Sequence, residues 1–149
     1  MSISETEYTA PATTAAAQDF GALIGRVLIA ALFIPAGIAK LVGFEGAVGY
    51  IGSVGLPLPQ VGAVLAIIVE VGFGLMLLAG FKTRLACIAL AVFTVGAAIF
   101  FHNFWAMPAD KAMLNQTLFM KNLAIVGGLL AFGVFGPGRF SIDRRRTPV

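Results

Sequence analysis

Glu70 is the residue whose type and setting first suggest chemistry. Between Gly46 and Phe81 the only ionisable side chains are Tyr50 and Glu70. The second half of that run, PQVGAVLAIIVEVGFGLMLLAGF, is long enough to cross a membrane, because about 20 residues at 1.5 Å rise span the roughly 30 Å hydrocarbon layer. Glu70 then falls near the middle of a transmembrane helix, where an ionisable group is costly and faces protein or a cavity. At four-residue spacing it has Gly62, Ala66 and Gly74 as neighbours, a small-residue ridge that lets a second helix come close. An acid on such a ridge belongs inside a helix bundle and is a candidate for proton exchange.

Other apolar runs carry polar groups too. Arg26 lies inside FGALIGRVLIAALFIPAGIA, which Lys40 closes. Arg26, Ala30, Phe33, Gly37 and Lys40 are spaced 4, 3, 4, 3 and share one helical face. Cys87, Ala91, Thr94, Ala98 and His102 recur at helical spacing along LACIALAVFTVGAAIFF and its end. Lys121 and Asn122 sit near the start of a fourth run, where Lys121, Ala124, Gly128 and Ala131 line one face.

By helical rise, Arg26 lies near the inner third of its span and Glu70 near the middle. Lys121 falls outside the middle, and Lys40 and His102 near the outer boundary. This arrangement predicts a polar pocket open toward the outer face, lined by Lys40, Glu70, His102 and Lys121. Proton transfer, or hydrogen bonding to the carbonyls of a quinone-like ligand, is the chemistry such groups suit. Arg26 either snorkels to the interface or pairs internally with Glu70 or Asp143; a buried Arg26–Glu70 ion pair is favoured over Lys121–Glu70, since a guanidinium holds a carboxylate bidentately. The plainer reading of the same residues is that they lock helix register and do nothing more.

The elements that must position these groups follow from the apolar runs. Four spans are predicted, at about residues 20–39, 60–80, 85–101 and 118–135. Pro35 removes one backbone hydrogen bond from the first. Residues 41–59, LVGFEGAVGYIGSVGLPLP, are too short and glycine-rich to span, and read as an interfacial helix or a re-entrant lid. FKTR forms a tight basic turn, MPADKAMLNQT an exposed loop, and Gly136-Pro137-Gly138 stops the last helix. The fold class is all-α, a membrane-embedded four-helix bundle of residues 20–143. Residues 1–19 read as a disordered cytoplasmic tail and 144–149 as a basic one.

Composition agrees. Of 149 residues, 59% are hydrophobic and only 11% charged, against about 25% charged in a soluble domain, and mean hydropathy is +0.96. One cysteine excludes an intrachain disulfide and one histidine a bis-histidine haem. No metal-ligand spacing, nucleotide loop or nucleophile–base pair is present, so no cofactor is bound by motif. The basic C-terminal segment points to membrane rather than nucleic acid. Lys82, Arg84, Arg139, Arg144, Arg145 and Arg146 stand on one side, against Lys40, Lys111 and Lys121 on the other. The positive-inside rule then puts both termini in the cytoplasm.

Taken together, GRVLIAALFIPAGIAKL, GYIGSVGLPLP, IVEVGFGLMLLAGFKTRLA, FHNFW, MKNLAIVGGLL and GPGRFSID resemble the DoxX family, over roughly residues 20–143. The resemblance implies a small multi-pass protein of the bacterial inner membrane with a link to oxidoreductase chemistry. Some family members are named as subunits of quinone-linked enzymes or as membrane partners of thiol and superoxide enzymes. Positions matching the family pattern are Arg26, Lys40, Glu70, His102, Lys121, Asn122, Ser141 and Asp143. The resemblance thereby adds Asn122 to the expected pocket and marks Ser141 and Asp143 at the cytoplasmic end. The leading expectation is a subunit of, or partner to, a membrane redox system that contacts quinone or quinol. A non-catalytic partner that docks or stabilises an enzyme is the alternative, ahead of a small-solute or proton carrier, and a homo-oligomer is left open.

Overall fold

The computed structural model describes residues 12–146, with side chains for 15–144. It is all-helical among the described residues. Helix α1 is Ala12–Val42, α2 Phe44–Ser53, α3 Pro59–Ala79, α4 Thr83–Phe101, α5 Ala109–Phe135 and α6 Ile142–Arg146. A single 3₁₀ turn, Phe104–Ala106, joins α4 to α5. The helices α1, α3, α4 (extended through that turn) and α5 are each long and apolar enough to cross a membrane. Their outward surfaces carry exposed large apolar side chains, Leu28, Val42, Val92 and Phe135 among them, as expected where lipid is the solvent.

Two helices are longer than the hydropathy pattern predicts. Helix α1 starts at Ala12 rather than Phe20, because Ala15, Ala16 and Ala17 are strong helix formers and no glycine intervenes before Gly21. Part of the expected N-terminal tail is therefore helix; the rest, like residues 147–149, lies outside the described residues. The expected loop 107–117 is mostly the first turns of α5, entered through Pro108 and with Asp110 in its first turn.

Among the described residues, no re-entrant course is shown for the segment between the first two spans. Gly52 of α2 packs near Pro59, and Ile51 lies against Gly62, so α2 sits level with the first turn of α3 and caps its end. Leu58, in a left-handed conformation with φ 52°, turns the chain into α3.

Helix α3 packs against α1 and α4, and α5 packs mainly against α4. The tightly packed core holds Phe33, Leu77, Ala86, Cys87, Leu90, Ala91 and Leu129, bordered by Ile29, Phe73, Ile125 and Phe132. It fills the half of the bundle nearer the α3–α4 turn. That turn closes on Gly80 (φ 64°), whose N–H bonds to Leu77 O while the N–H of Phe81 reaches Met76 O. This is the left-handed helix stop that glycine permits. The half nearer α2 is not filled.

Candidate functional site

The unfilled half is a chamber of about 770 Å³. Lys40, Ala36 and Ala39 of α1, Gly46, Tyr50 and Ile51 of α2, Ala66 and Glu70 of α3, and Phe93, Gly96, Phe100 and Phe101 of α4 line it, with His102 just beyond α4. Its size falls within the range of small-molecule sites. Gly96 helps to leave the space, for a Cβ there would meet nothing within 4 Å.

An ion pair forms the polar part of the wall. Lys40 Nζ donates to Oε1 and Oε2 of Glu70 at 2.9 and 2.8 Å, and lies 3.5 Å from Ala36 O. Glu70 is buried, whereas the Lys40 side chain is 32% exposed. Two local features bring them together. First, residues Ile68–Phe73 form a π-helical turn inside α3, with Glu70 within it; such widened turns recur at functional positions in helices. Second, Gly37 lets α1 and α3 touch: a Cβ there would stand 2.6 Å from Val71 Cγ2 and 3.0 Å from Glu70 Cβ. Lys40, three residues farther along α1, is then about 4.5 Å above that contact, within reach of the carboxylate.

The rim is aromatic and its histidine is oriented. Tyr50 of α2 stacks on Phe101 of α4 with centroids 5.0 Å apart. His102 Nδ1 lies 3.2 Å from Asn115 Oδ1, and Asn115 Nδ2 donates to Lys111 O. The amide oxygen of Asn115 can only accept, so His102 donates through Nδ1 and is left Nε2 for any further partner.

Of the expected pocket residues, Lys40, Glu70 and His102 meet in this chamber. Lys121 and Asn122 do not. Helix α5 turns Ile125, Val126, Leu129 and Phe132 to the core, and Asn122 falls on that same face, half-buried behind α4. Lys121, about 100° round the helix from Asn122, is exposed and lines a separate shallow groove with Gln116, Thr117 and Met120.

The expected Arg26–Glu70 pair is also absent. Arg26 is fully buried at the opposite end of the bundle. It donates through Nη1 to Leu78 O at 2.9 Å and Leu77 O at 3.4 Å, and through Nη2 to Phe140 O. The cause is axial: Arg26 and Lys40 are 14 residues apart on one face, about 21 Å, so only one can stand level with Glu70. Arg26 instead places a positive charge on the Leu77 and Leu78 carbonyls at the end of α3. Asp143 does the reverse for α4, accepting from Lys82 N, Thr83 N and Thr83 Oγ1, each at 2.8 Å. Its own N–H bonds to Gly80 O. Ser141 is buried between them, its Oγ donating to Gly138 O. Arg26, Ser141 and Asp143 thus form a structural clamp that holds the C-terminal segment across the α3–α4 turn.

Sequence reasoning missed the aromatic rim and Asn115. The signal for Tyr50 was its position as the one polar aromatic in residues 41–59. For Asn115 there was none, since its contact with His102 crosses a turn whose length was misjudged.

A comparison with known proteins places these observations among relatives. The family model described as DoxX matches residues 21–103, a stretch that holds every chamber residue from Ala36 to His102. Inner membrane protein YphA of Escherichia coli K12 is 37% identical over 133 residues, covering 85% of this chain and 95% of its own length. Inner membrane protein YqjF of the same organism is 41% identical over 130 residues, covering 85% and 92%. A Surfeit locus protein 4 homolog of Drosophila melanogaster is 26% identical over 131 residues, covering 87% of this chain and 42% of the longer protein. No solved structure matches the chain at a comparable level.

Proposed function

The chain belongs to the DoxX family, and from that premise we propose that it is a multi-pass bacterial inner-membrane protein that binds a quinone or quinol as a subunit of, or partner to, a redox system. The observation that carries this reading is the Lys40–Glu70 pair standing in the wall of an otherwise apolar, aromatic-rimmed chamber. A ligand that enters must be largely apolar, with polar atoms at one edge. A quinone head group has that form. Its carbonyl accepts from Lys40, whose third N–H, beyond the two given to Glu70, makes only a long 3.5 Å contact with Ala36 O that a ligand can displace. A quinol hydroxyl donates to Glu70 Oε or to His102 Nε2, and Glu70 is the group placed to exchange the proton. Phe93, Phe100 and Phe101 offer ring faces to the head group. Of the residues expected to line the pocket, Lys121 stands outside the chamber, so Lys40 is the cation that meets the carbonyl.

The two Escherichia coli relatives are named as inner membrane proteins, which supports the same membrane here. The excess of Lys and Arg beside the α3–α4 turn and the C-terminal segment supports cytoplasmic termini and a chamber opening toward the outer side.

Titration of the purified protein with short-chain ubiquinone and menaquinone analogues tests the reading. Saturable binding is expected, with Glu70→Gln weakening it about tenfold, the weight of one charge-assisted contact. Failure of both analogues to bind, or unchanged binding by Glu70→Gln, overturns it.

A further inference from the structure

A second concave site lies at the clamped end of the bundle and plays no part in the chamber. It is a groove of about 1460 Å³ between the starts of α1 and α4, the end of α5 and the segment that follows it. Lys82, Arg84, Arg139 and Arg144 border it, all exposed. Among the described residues none of these four cations is ion-paired to a carboxylate. Two carboxylates also border the groove, and both are already hydrogen-bonded within the fold. Asp19 Oδ1 accepts from Arg139 N at 2.8 Å, and Asp143 accepts from Lys82 N and Thr83 N. Four cations against two engaged acids leave the groove positive.

Its depth in the membrane is fixed by the chain. The spans end at Ala79, begin again at Thr83 and end at Phe135, and the groove is bordered by Thr83 and Phe135. It therefore sits where hydrocarbon gives way to head groups. Its apolar edge is exposed as well, Leu85 at 51% and Phe135 at 88%. A positive cleft beside an apolar ledge, at head-group level, matches one kind of molecule.

We propose that this groove is a binding site for an anionic phospholipid, its phosphate held by Lys82, Arg84, Arg139 and Arg144 and its acyl chains lying along Leu85 and Phe135. Arginine forks suit phosphate oxygens, and basic pockets beside membrane helices take acidic head groups. The site is independent of any ligand in the chamber.

The full chain, purified and reconstituted in phosphatidylcholine vesicles containing phosphatidylglycerol, is compared with the triple variant Arg84→Gln, Arg139→Gln, Arg144→Gln. Protein-retained lipid is read by native mass spectrometry and by spin-labelled lipid. The expected result is enrichment of phosphatidylglycerol over phosphatidylcholine on the wild type, reduced by roughly tenfold or more in the triple variant and weakened by raised salt. Among the described residues these three guanidinium groups make no hydrogen bond or ion pair, and circular dichroism checks that the variant is folded. Lys111→Gln with Lys121→Gln, at the other end of the bundle, should leave the enrichment unchanged. Equal retention of the two lipids by the wild type, persistence of enrichment in the folded triple variant, or an equal loss in the Lys111/Lys121 variant overturns the proposal. Competition by free glycerol phosphate at millimolar concentration would assign the groove to a soluble anion instead, and would equally overturn it.

Discussion

Glu70 illustrates what one residue's sequence context can and cannot tell. Its burial follows from the ridge of Gly62, Ala66 and Gly74, and the structure buries it. The inward faces of two other helices were equally legible: Ala30, Phe33 and Gly37 are buried on α1, and Cys87, Ala91, Thr94 and Ala98 on α4. The partner was not legible, because spacing gives rotation about one helix but not axial register between two. Lys40 and Arg26 lie on the same face, and only the approach of Gly37 to Val71 decides between them. A double-mutant cycle checks the assignment. Lys40→Met and Glu70→Gln should each lower the unfolding temperature in detergent, and the double variant should recover part of the loss. Breaking a fully buried pair costs about 3–5 kcal/mol; with Lys40 one-third exposed, a smaller loss is expected. Arg26→Ala with Glu70→Ala should be additive within about 0.5 kcal/mol. Coupling in the second cycle and none in the first would refute the pairing.

At the scale of elements, two glycines in different helices have opposite jobs. Gly37 holds α1 against α3, and an alanine Cβ would lie 3.2 Å from Val71 N as well as against its side chain. Gly37→Ala should therefore force the helices apart and destabilise the protein by about 1–3 kcal/mol, the usual range for overpacking. Gly96 faces open space in the chamber, so Gly96→Leu should fill that space without loss of stability. The measurements are thermal unfolding and the quinone titration. Gly37→Ala should shift the first and Gly96→Leu abolish the second; a stable Gly37→Ala protein, or unchanged binding by Gly96→Leu, would contradict the description. Helix α5 shows why spacing alone misleads here. Lys121, Ala124, Gly128 and Ala131 repeat like a packing ridge, yet Lys121, Ala124 and Ala131 are exposed. In water a small-residue stripe opposite a charged one identifies the inner face. In lipid both faces are apolar, and the pattern loses that contrast.

The whole molecule is asymmetric along its axis, packed around Leu77, Leu90 and Leu129 at one end and hollow at the other. Four helices were evident from hydropathy, and the end of the last from Gly136-Pro137-Gly138. A polar pocket at Lys40, Glu70 and His102 was expected, but not its apolar walls, since they are made by α2 standing over the end of α3, a long-range arrangement with no local signature. Which way this axis points decides who reaches the chamber. A reporter active only in the periplasm, fused after Val149, should stay silent; activity would reverse the proposed opening. The clamp adds a constraint of time. Arg26 and the carbonyl of Phe140 are separated by 114 positions, and Asp143 is made some 60 residues after the Thr83 amide it caps. A nascent chain with three spans already inserted still lacks the Phe140 acceptor for Arg26 and the Asp143 cap for α4. The segment that follows α5 supplies both at once, so the seal across the α3–α4 turn closes only after the fourth span has been made.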